Sequence, residues 1–263
     1  MTSRATALEQ YLARIGYTGG RQPTGETLRA LHEAHVAHIP FENIDVLLGR
    51  GVDLDPEALH QKLVGDHRGG YCFEHNLLFG SMLEAIGFQV TYLSARVRFG
   101  AIGTRPRTHM LLLVRFAHVS WIADVGFGSD GLLWPVPLEP AVESAQFLRT
   151  YRVVLQDGWW VMQVARAGEW TDLYTFTLDA HERVDYEVLN HYTATHPRSV
   201  FRSLLLAQIA SPDRRVLLRN RELSVETSAG TTTRTLTLEE VPVVLRETFG
   251  LQLPADTKLP ILD

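Results

Sequence analysis

The only cysteine of this 263-residue chain lies in a segment that suits a nucleophile. Cys72 belongs to the run Arg-Gly-Gly-Tyr-Cys-Phe-Glu-His-Asn, residues 68–76. Apolar residues then recur at helical spacing until Gly87, so the pattern predicts that Cys72 begins a helix after a flexible glycine turn. A helix N-terminus favours thiolate over thiol. A lone cysteine is more often a small buried apolar residue, but this context favours chemistry.

A histidine and an aspartate with suitable surroundings follow the cysteine. His109 stands at the mouth of an apolar, strand-like run, and Asp124 lies inside the next such run. A carboxylate among apolar residues is costly unless it is paired. Two neighbouring antiparallel strands would place Asp124 beside His109, where it fixes the imidazole tautomer. The order Cys, His, Asp therefore predicts a nucleophile, a base and an orienting acid.

These segments together resemble the arylamine N-acetyltransferases. The resemblance rests on residues 68–76, on Thr-His-Met-Leu-Leu-Leu-Val at 108–114 and on Ile-Ala-Asp-Val-Gly-Phe-Gly at 122–128. It extends to His-Ile-Pro-Phe-Glu-Asn-Ile-Asp at 38–45 and to residues 185–201. The resemblance implies a ping-pong acyltransferase of xenobiotic metabolism. Cys72 would take an acetyl group from acetyl-CoA as a thioester and pass it to an arylamine, arylhydroxylamine or hydrazine.

The same resemblance implies roles for four supporting residues. Arg68 and Glu42 match a charged pair that ties the helical segment to the catalytic loop, whereas the residues alone would indicate two solvated surface charges. Phe41 and Phe127 match aromatic positions that line the acceptor pocket. Without the resemblance, both phenylalanines would be taken as core residues.

Residues beside the motif positions receive predictions of their own. Tyr71 adjoins the nucleophile and is predicted to form a pocket wall, and Asn76 to support the loop through hydrogen bonds. Gly126 and Gly128 are predicted to let the pantetheine arm of acetyl-CoA pass close to the backbone, with Thr108 as a further contact. Backbone N–H groups near the nucleophile are expected to hold the oxyanion. No permanently bound cofactor and no metal are predicted.

The composition indicates an ordinary globular chain, with 45% hydrophobic and 21% charged residues. A net charge of −5 and the lack of any basic run argue against nucleic-acid binding. Arg98, Arg105 and Arg107 gather before the histidine strand and indicate either a solvated loop or a contact to the phosphates of CoA. The single cysteine and the lack of a leader or membrane-length apolar run predict a cytoplasmic protein without membrane association.

The predicted elements change in character along the chain. An N-terminal helical part is followed by short strands typical of an antiparallel sheet or barrel and then by a mixed part. We expect an α+β fold: a helical bundle at 1–88 with the nucleophile, a β-barrel at 89–192 with the histidine and aspartate, and an α/β lid at 193–263. Expected elements of the last part are a helix at 199–209, strands at 216–235 and a helix at 238–249.

One competing site and two competing functions remain open at this stage. His32, His35 and His38 share one helix face, which permits a metal site but indicates a polar helix face more simply. The same three catalytic residues would serve a macrolactam-forming amide synthase or a transglutaminase- or papain-like amidase. A non-catalytic binding protein on the same scaffold is the remaining alternative, although the complete Cys-His-Asp set argues against it.

Overall fold

The computed structural model describes residues 4–166, 168–254 and 257–260. Helices dominate its first third. Their bounds are α1 Arg4–Arg14, α2 Gly25–His38, α3 Ile44–Leu47, α4 Pro56–His60 and α5 Cys72–Ile86, with a π-helical turn at Gln61–Gly65 after α4. Helix α5 is the central helix, since most of its side chains are buried, and it ends at Gly87 in the left-handed region (φ 109°). The predicted helix that starts at Cys72 is therefore confirmed.

An eight-stranded antiparallel sheet follows the helices. Its strands are β2 Gln89–Val97, β3 His109–Phe116, β4 Val119–Ala123, β5 Val136–Pro137, β6 Ser144–Gln146, β7 Arg149–Gln156, β8 Trp159–Arg166 and β9 Glu169–Phe176. The strand order is β5-β4-β3-β2-β9-β8-β7-β6. The end strands β5 and β6 are not paired with each other. An isolated bridge from Pro140 to Val153 brings the chain after β5 towards β7, so the sheet is a nearly closed barrel.

The last part contains α6 Arg183–Thr195, a 3₁₀ turn at Val200–Arg202, the strands β10 Leu206–Ser211, β11 Arg214–Arg219, β12 Glu222–Thr227 and β13 Gly230–Thr235, and α7 Glu240–Phe249. These four strands form one sheet with β1, Phe41–Glu42, which pairs with β10. A segment next to α2 is thus built into the C-terminal sheet.

Two sequence expectations in this part differ from the structure. The helix expected at 199–209 is wrong, because the apolar run at 204–207 enters strand β10 between β1 and β11. A short apolar run is compatible with either element until its neighbours are known. Helix α6 was not predicted, since its core-facing side includes the polar Asn190 and Thr193, while Val184 and Val188 are exposed.

Three groups of buried apolar side chains fill the molecule. One joins the N-terminal helices to one face of β3, the second fills the barrel, and the third lies between the C-terminal sheet and α7. The predicted α+β class, with helices, a barrel and a C-terminal α/β part, is confirmed. Within the described ranges, none of the helices has the length and apolar character that a bilayer crossing requires.

Candidate active site

Cys72 is the first residue of α5 and is almost fully buried. Its Sγ lies 3.7 Å from the carbonyl oxygen of Thr108. The glycines before it allow close packing: a Cβ on Gly69 would lie 2.0 Å from the carbonyl oxygen of Pro40, and a Cβ on Gly70 would meet the Glu74 carboxylate at 2.5 Å. The structure has no turn at these glycines, since Gly70 forms an isolated bridge with Phe41, and close approach of neighbouring atoms is what requires them.

His109 begins β3 and Asp124 directly follows the end of the neighbouring antiparallel strand β4, one residue beyond the strand in which it was expected. The imidazole Nε2 and the carboxylate Oδ2 are 2.7 Å apart, and both residues are buried. Burial alone would lower the pKa of His109, but the Asp124 carboxylate and the Cys72 side chain outweigh it and raise that pKa to about 10. Burial alone would raise the pKa of Asp124, but His109, with an Asn76 hydrogen bond, holds it below its usual range. The imidazole is therefore charged at neutral pH.

Asn76 connects the cysteine helix to both strands that carry the other two residues. Its Nδ2 donates to the carbonyl oxygen of Met110 (2.8 Å) and to Asp124 Oδ1 (3.1 Å), and its Oδ1 accepts from the backbone N–H of Val125 (3.2 Å). Because Asn76 is one helical turn after Cys72, it fixes the distance between nucleophile and acid.

A buried histidine on α2 holds the backbone of the acid. His32 Nε2 accepts the backbone N–H of Asp124 (3.2 Å), and His32 Nδ1 donates to the carbonyl oxygen of Leu133 (3.0 Å). The expectation of a polar helix face is wrong for His32 and His35, which are fully buried. Burial lowers the pKa of His32 to about 4, so the ring is neutral. No group of three metal-ligating side chains exists in the described part of the chain.

Aromatic side chains surround the histidine and the cysteine. The Phe127 ring lies edge-on to the His109 ring, with 5.0 Å between the ring centroids. The Tyr174 ring centroid lies 4.8 Å from that of His109, and the sequence pattern did not single out this tyrosine. The ring of Phe201 packs against those of Phe41 and Tyr71, with centroid separations of 6.2 Å and 5.7 Å. The Tyr71 side chain is fully buried.

Tyr71 is tied to two neighbouring elements. Its hydroxyl donates to Asn190 on α6, and its backbone N–H donates to Glu74 Oε2 at 2.9 Å. The residue before the nucleophile is thus fixed both at the start of α5 and across to the C-terminal part.

Arg68 and Glu42 form a buried ion pair rather than two solvated charges. Arg68 Nη2 lies 2.7 Å from Glu42 Oε1 and 3.2 Å from Asp45 Oδ2. Lys62 extends the network, with its Nζ 2.6 Å from Asp45 Oδ2 and 2.7 Å from Glu74 Oε1. The network thus runs from β1 and α3 to the first turn of the cysteine helix.

A cavity of about 390 Å³ opens beside the cysteine. Thr108, whose carbonyl contacts the sulfur, lines it together with Phe201. Arg105 and Arg198 supply two cationic side chains to its wall. The cavity therefore combines positive charge with a wall residue, Thr108, whose carbonyl oxygen contacts the sulfur.

The three arginines that precede His109 do not form one cluster. Arg105 lines the cavity beside the cysteine, whereas Arg98 lies 3.3 Å from the Asp172 carboxylate. The Arg107 guanidinium lies over the Trp159 ring, 5.4 Å from its centroid. Only Arg105 of the three is placed towards the candidate site.

The two glycines that flank Phe127 pack closely against other site residues. A Cβ on Gly126 would lie 2.7 Å from Cys72 Cα, and a Cβ on Gly128 would lie 3.1 Å from the Phe41 ring. Gly126 is therefore required for the contact between this loop and α5. A contact of either glycine with the pantetheine arm remains a prediction.

Comparisons with known proteins agree over nearly the whole chain. The family model described as N-acetyltransferase matches residues 24–258. The arylamine N-acetyltransferase of Mycolicibacterium smegmatis is 41% identical over 233 residues, which cover 86% of this chain and 85% of the relative. Among solved structures, that of the Salmonella typhimurium enzyme covers 95% of this chain and 92% of its own, with 36% identity and a TM-score of 0.90. Mycobacterium marinum arylamine N-acetyltransferase in complex with CoA gives 37% identity, 92% coverage of each chain and a TM-score of 0.88.

Proposed function

Because the chain belongs to the arylamine N-acetyltransferase family, we propose that Cys72 carries the acetyl group between acetyl-CoA and an arylamine nitrogen. The chain is an acetyl-CoA-dependent acyltransferase, with acetyl-CoA as its co-substrate. The observation that carries the assignment of residues is the buried hydrogen bond between His109 and Asp124 beside the only cysteine. This arrangement keeps a charged imidazolium next to the cysteine sulfur at neutral pH.

In the first half-reaction, the Cys72 thiolate attacks the thioester carbonyl of acetyl-CoA. The carbon–sulfur bond to CoA breaks, and the His109 imidazolium gives its proton to the departing CoA thiolate. N–H groups of the first turn of α5 donate hydrogen bonds to the tetrahedral oxyanion, since a helix start leaves them without helical carbonyl partners. The products are the acetyl-cysteine thioester and CoA.

In the second half-reaction, an arylamine attacks the acetyl-cysteine carbonyl. The neutral imidazole of His109 takes the proton from the amine nitrogen, and the Cys72 thiolate leaves, which restores the starting state. Asp124 keeps the imidazole oriented in both steps. Arylhydroxylamines and hydrazines carry the same nucleophilic nitrogen lone pair, so we include them as acceptors.

The donor reaches the sulfur through the 390 Å³ cavity beside Thr108. Arg105 and Arg198 on its wall suit the phosphates of CoA. Thr108, Gly126 and Gly128 are assigned to the passage of the pantetheine arm, Phe41 and Phe127 to the acceptor wall, and the fully buried Tyr71 to the support of that wall. In this assignment, the three domains at 1–88, 89–192 and 193–263 contribute the nucleophile, the base with its acid, and the lid.

A single-turnover experiment tests this function. Purified protein is mixed with acetyl-CoA alone, and its intact mass is measured before and after addition of an arylamine. We expect one added acetyl group on the wild type, no addition on Cys72→Ala, and loss of the group when the amine is added. His109→Gln should acetylate far more slowly while it remains folded.

Other outcomes separate the alternatives. No acetyl adduct, together with a thiol that iodoacetamide alkylates rapidly, would contradict acetyl-CoA as donor and favour an amide synthase. Hydrolysis of amides without an added amine would indicate an amidase. A thiol that alkylates no faster than free cysteine would contradict the catalytic role of Cys72 itself.

A further inference from the structure

A buried arginine behind the aromatic wall has unused hydrogen-bonding capacity. Arg215 on β11 is 5% exposed, and its Nε and Nη1 have no hydrogen-bond partner among the described residues. Only Nη2 is engaged, at 2.8 Å from the carbonyl oxygen of Gly131 and 3.2 Å from the hydroxyl of Tyr151. Both acceptors are neutral, since burial raises the pKa of Tyr151 to about 12. A buried guanidinium without a counter-charge is costly, so its free N–H groups call for an anionic partner.

The nearby carboxylates are engaged by other arginines. Asp130 accepts from Arg149 Nε at 2.8 Å and also from Arg166. Arg149 further makes a two-point contact with Glu226, at 2.9 Å and 2.6 Å. Glu226 lies opposite Arg215 in the β11–β12 register, but Arg149 engages its carboxylate, so three guanidinium groups share two carboxylates.

A small cavity lies against this guanidinium. Its volume is about 20 Å³, enough for one body of the size of a water molecule. Phe41, Phe127, Gln208 and Arg215 are among its lining residues. Asp124 also lines it, but its carboxylate is engaged by His109, Asn76 and the backbone N–H of Gly126.

We propose that this cavity is a binding site for one small monovalent anion of the halide type, held by Nε and Nη1 of Arg215. The small volume favours a monatomic anion over a larger one, and the unpartnered N–H groups of Arg215 favour an anion over a neutral water. Through Nη2, the same guanidinium holds Gly131, whose Cα packs so closely on the Phe127 carbonyl that a Cβ would lie 2.3 Å from it. The bound anion therefore stabilises the loop that presents Phe127.

Two measurements with bromide test the site. Crystals soaked in bromide should show an anomalous peak within hydrogen-bond distance of Arg215 Nε and Nη1. At constant ionic strength, gluconate is replaced by bromide or chloride. The Tm of the wild type should then rise by about 3 °C for each tenfold increase in halide concentration above the dissociation constant.

A matched pair of variants assigns the effect to this side chain. Arg215→Gln should lose the halide-dependent part of the Tm shift, whereas Arg219→Gln, at an exposed position on the same strand, should keep it. If Arg215→Gln fails to fold, the anomalous bromide peak in wild-type crystals still decides whether the site exists. No bromide peak at Arg215, an equal Tm response to gluconate and halide, or a shift that persists in Arg215→Gln would overturn the proposal.

Discussion

Loss of the Arg68 side chain should cost far more stability than loss of Arg50, although both side chains lie near the same carboxylate. Arg68 is 14% exposed and contacts Glu42, whose side chain is 0% exposed, as well as Asp45. Arg50 is 50% exposed and lies 3.8 Å from Asp45. Arg68→Met would leave the buried Glu42 carboxylate without its closest cation, whereas Arg50→Met would remove only a solvated charge.

The size of the effect follows from the partners that remain. Removal of one member of a buried ion pair costs about 3–5 kcal/mol. Lys62 stays in the network and still attracts Glu42. We therefore expect Arg68→Met to lower the free energy of unfolding by about 3 kcal/mol, the lower end of this range. For a chain of this size that corresponds to a Tm lowered by roughly 6–12 °C. Arg50→Met should cost no more than about 0.5 kcal/mol.

Urea denaturation at pH 7 measures the stability of both variants. Burial alone would raise the pKa of Asp45, but Lys62 and Arg68 hold it below its usual value. Its contribution to stability is therefore fully present above the unfolded pKa, near 3.9, and is lost as the pH falls through the folded one. Arg68→Lys should recover part of the loss, because it restores charge without the two-point contact. Equal losses of under 1 kcal/mol in the Arg68 and Arg50 variants would refute the reasoning.

Three further substitutions and one pH series probe the site directly. Asp124→Asn should slow alkylation of the thiol at pH 7 at least tenfold, because burial then lowers the pKa of His109 and the imidazolium is lost; an unchanged rate would contradict this. In the wild type, the charge contribution of His109 to stability is fully present below pH 6.5 and is lost as the pH rises through about 10, which a denaturation series would show. His32→Leu should cost roughly 1–3 kcal/mol in urea denaturation, since the backbone N–H of Asp124 loses its acceptor, whereas the exposed His38→Leu should cost almost nothing. Gly126→Ala should destabilise by about 1–3 kcal/mol in the same assay, because its Cβ would meet the cysteine Cα at 2.7 Å, and full stability would refute this.

The parts of the site that follow local sequence rules were predictable. The start of α5 follows from the glycines and the helical spacing after Cys72, and the pairing of His109 with Asp124 follows from two apolar strand-like runs. In both cases neighbours in the sequence determine the local structure, and a buried carboxylate requires a partner. The Arg68–Glu42 pair was available only through the family resemblance, since its members are 26 positions apart.

Other site residues depend on contacts that no local pattern encodes. His32 reaches Asp124 from a helix 92 positions earlier, and its spacing with His35 gives the same pattern as a polar helix face. Tyr174 lies on β9, and only the barrel brings it to His109. The apolar run at 204–207 enters β10 because β1 and β11 flank it. Helix or strand is decided there by tertiary pairing rather than by propensity.

Asn76 explains how residues from separate elements keep a common geometry. His109 at the start of β3 and Asp124 just after β4 are already held close to each other by the ladder between these two strands. The nucleophile, on a helix, has no such ladder, and its distance to the strands would otherwise depend on apolar packing alone. Asn76, on the same helix as Cys72, makes three hydrogen bonds to the strand ends around Met110 and Asp124. Because hydrogen bonds are directional where apolar contacts are not, this amide is what sets the helix against the strands at catalytic precision.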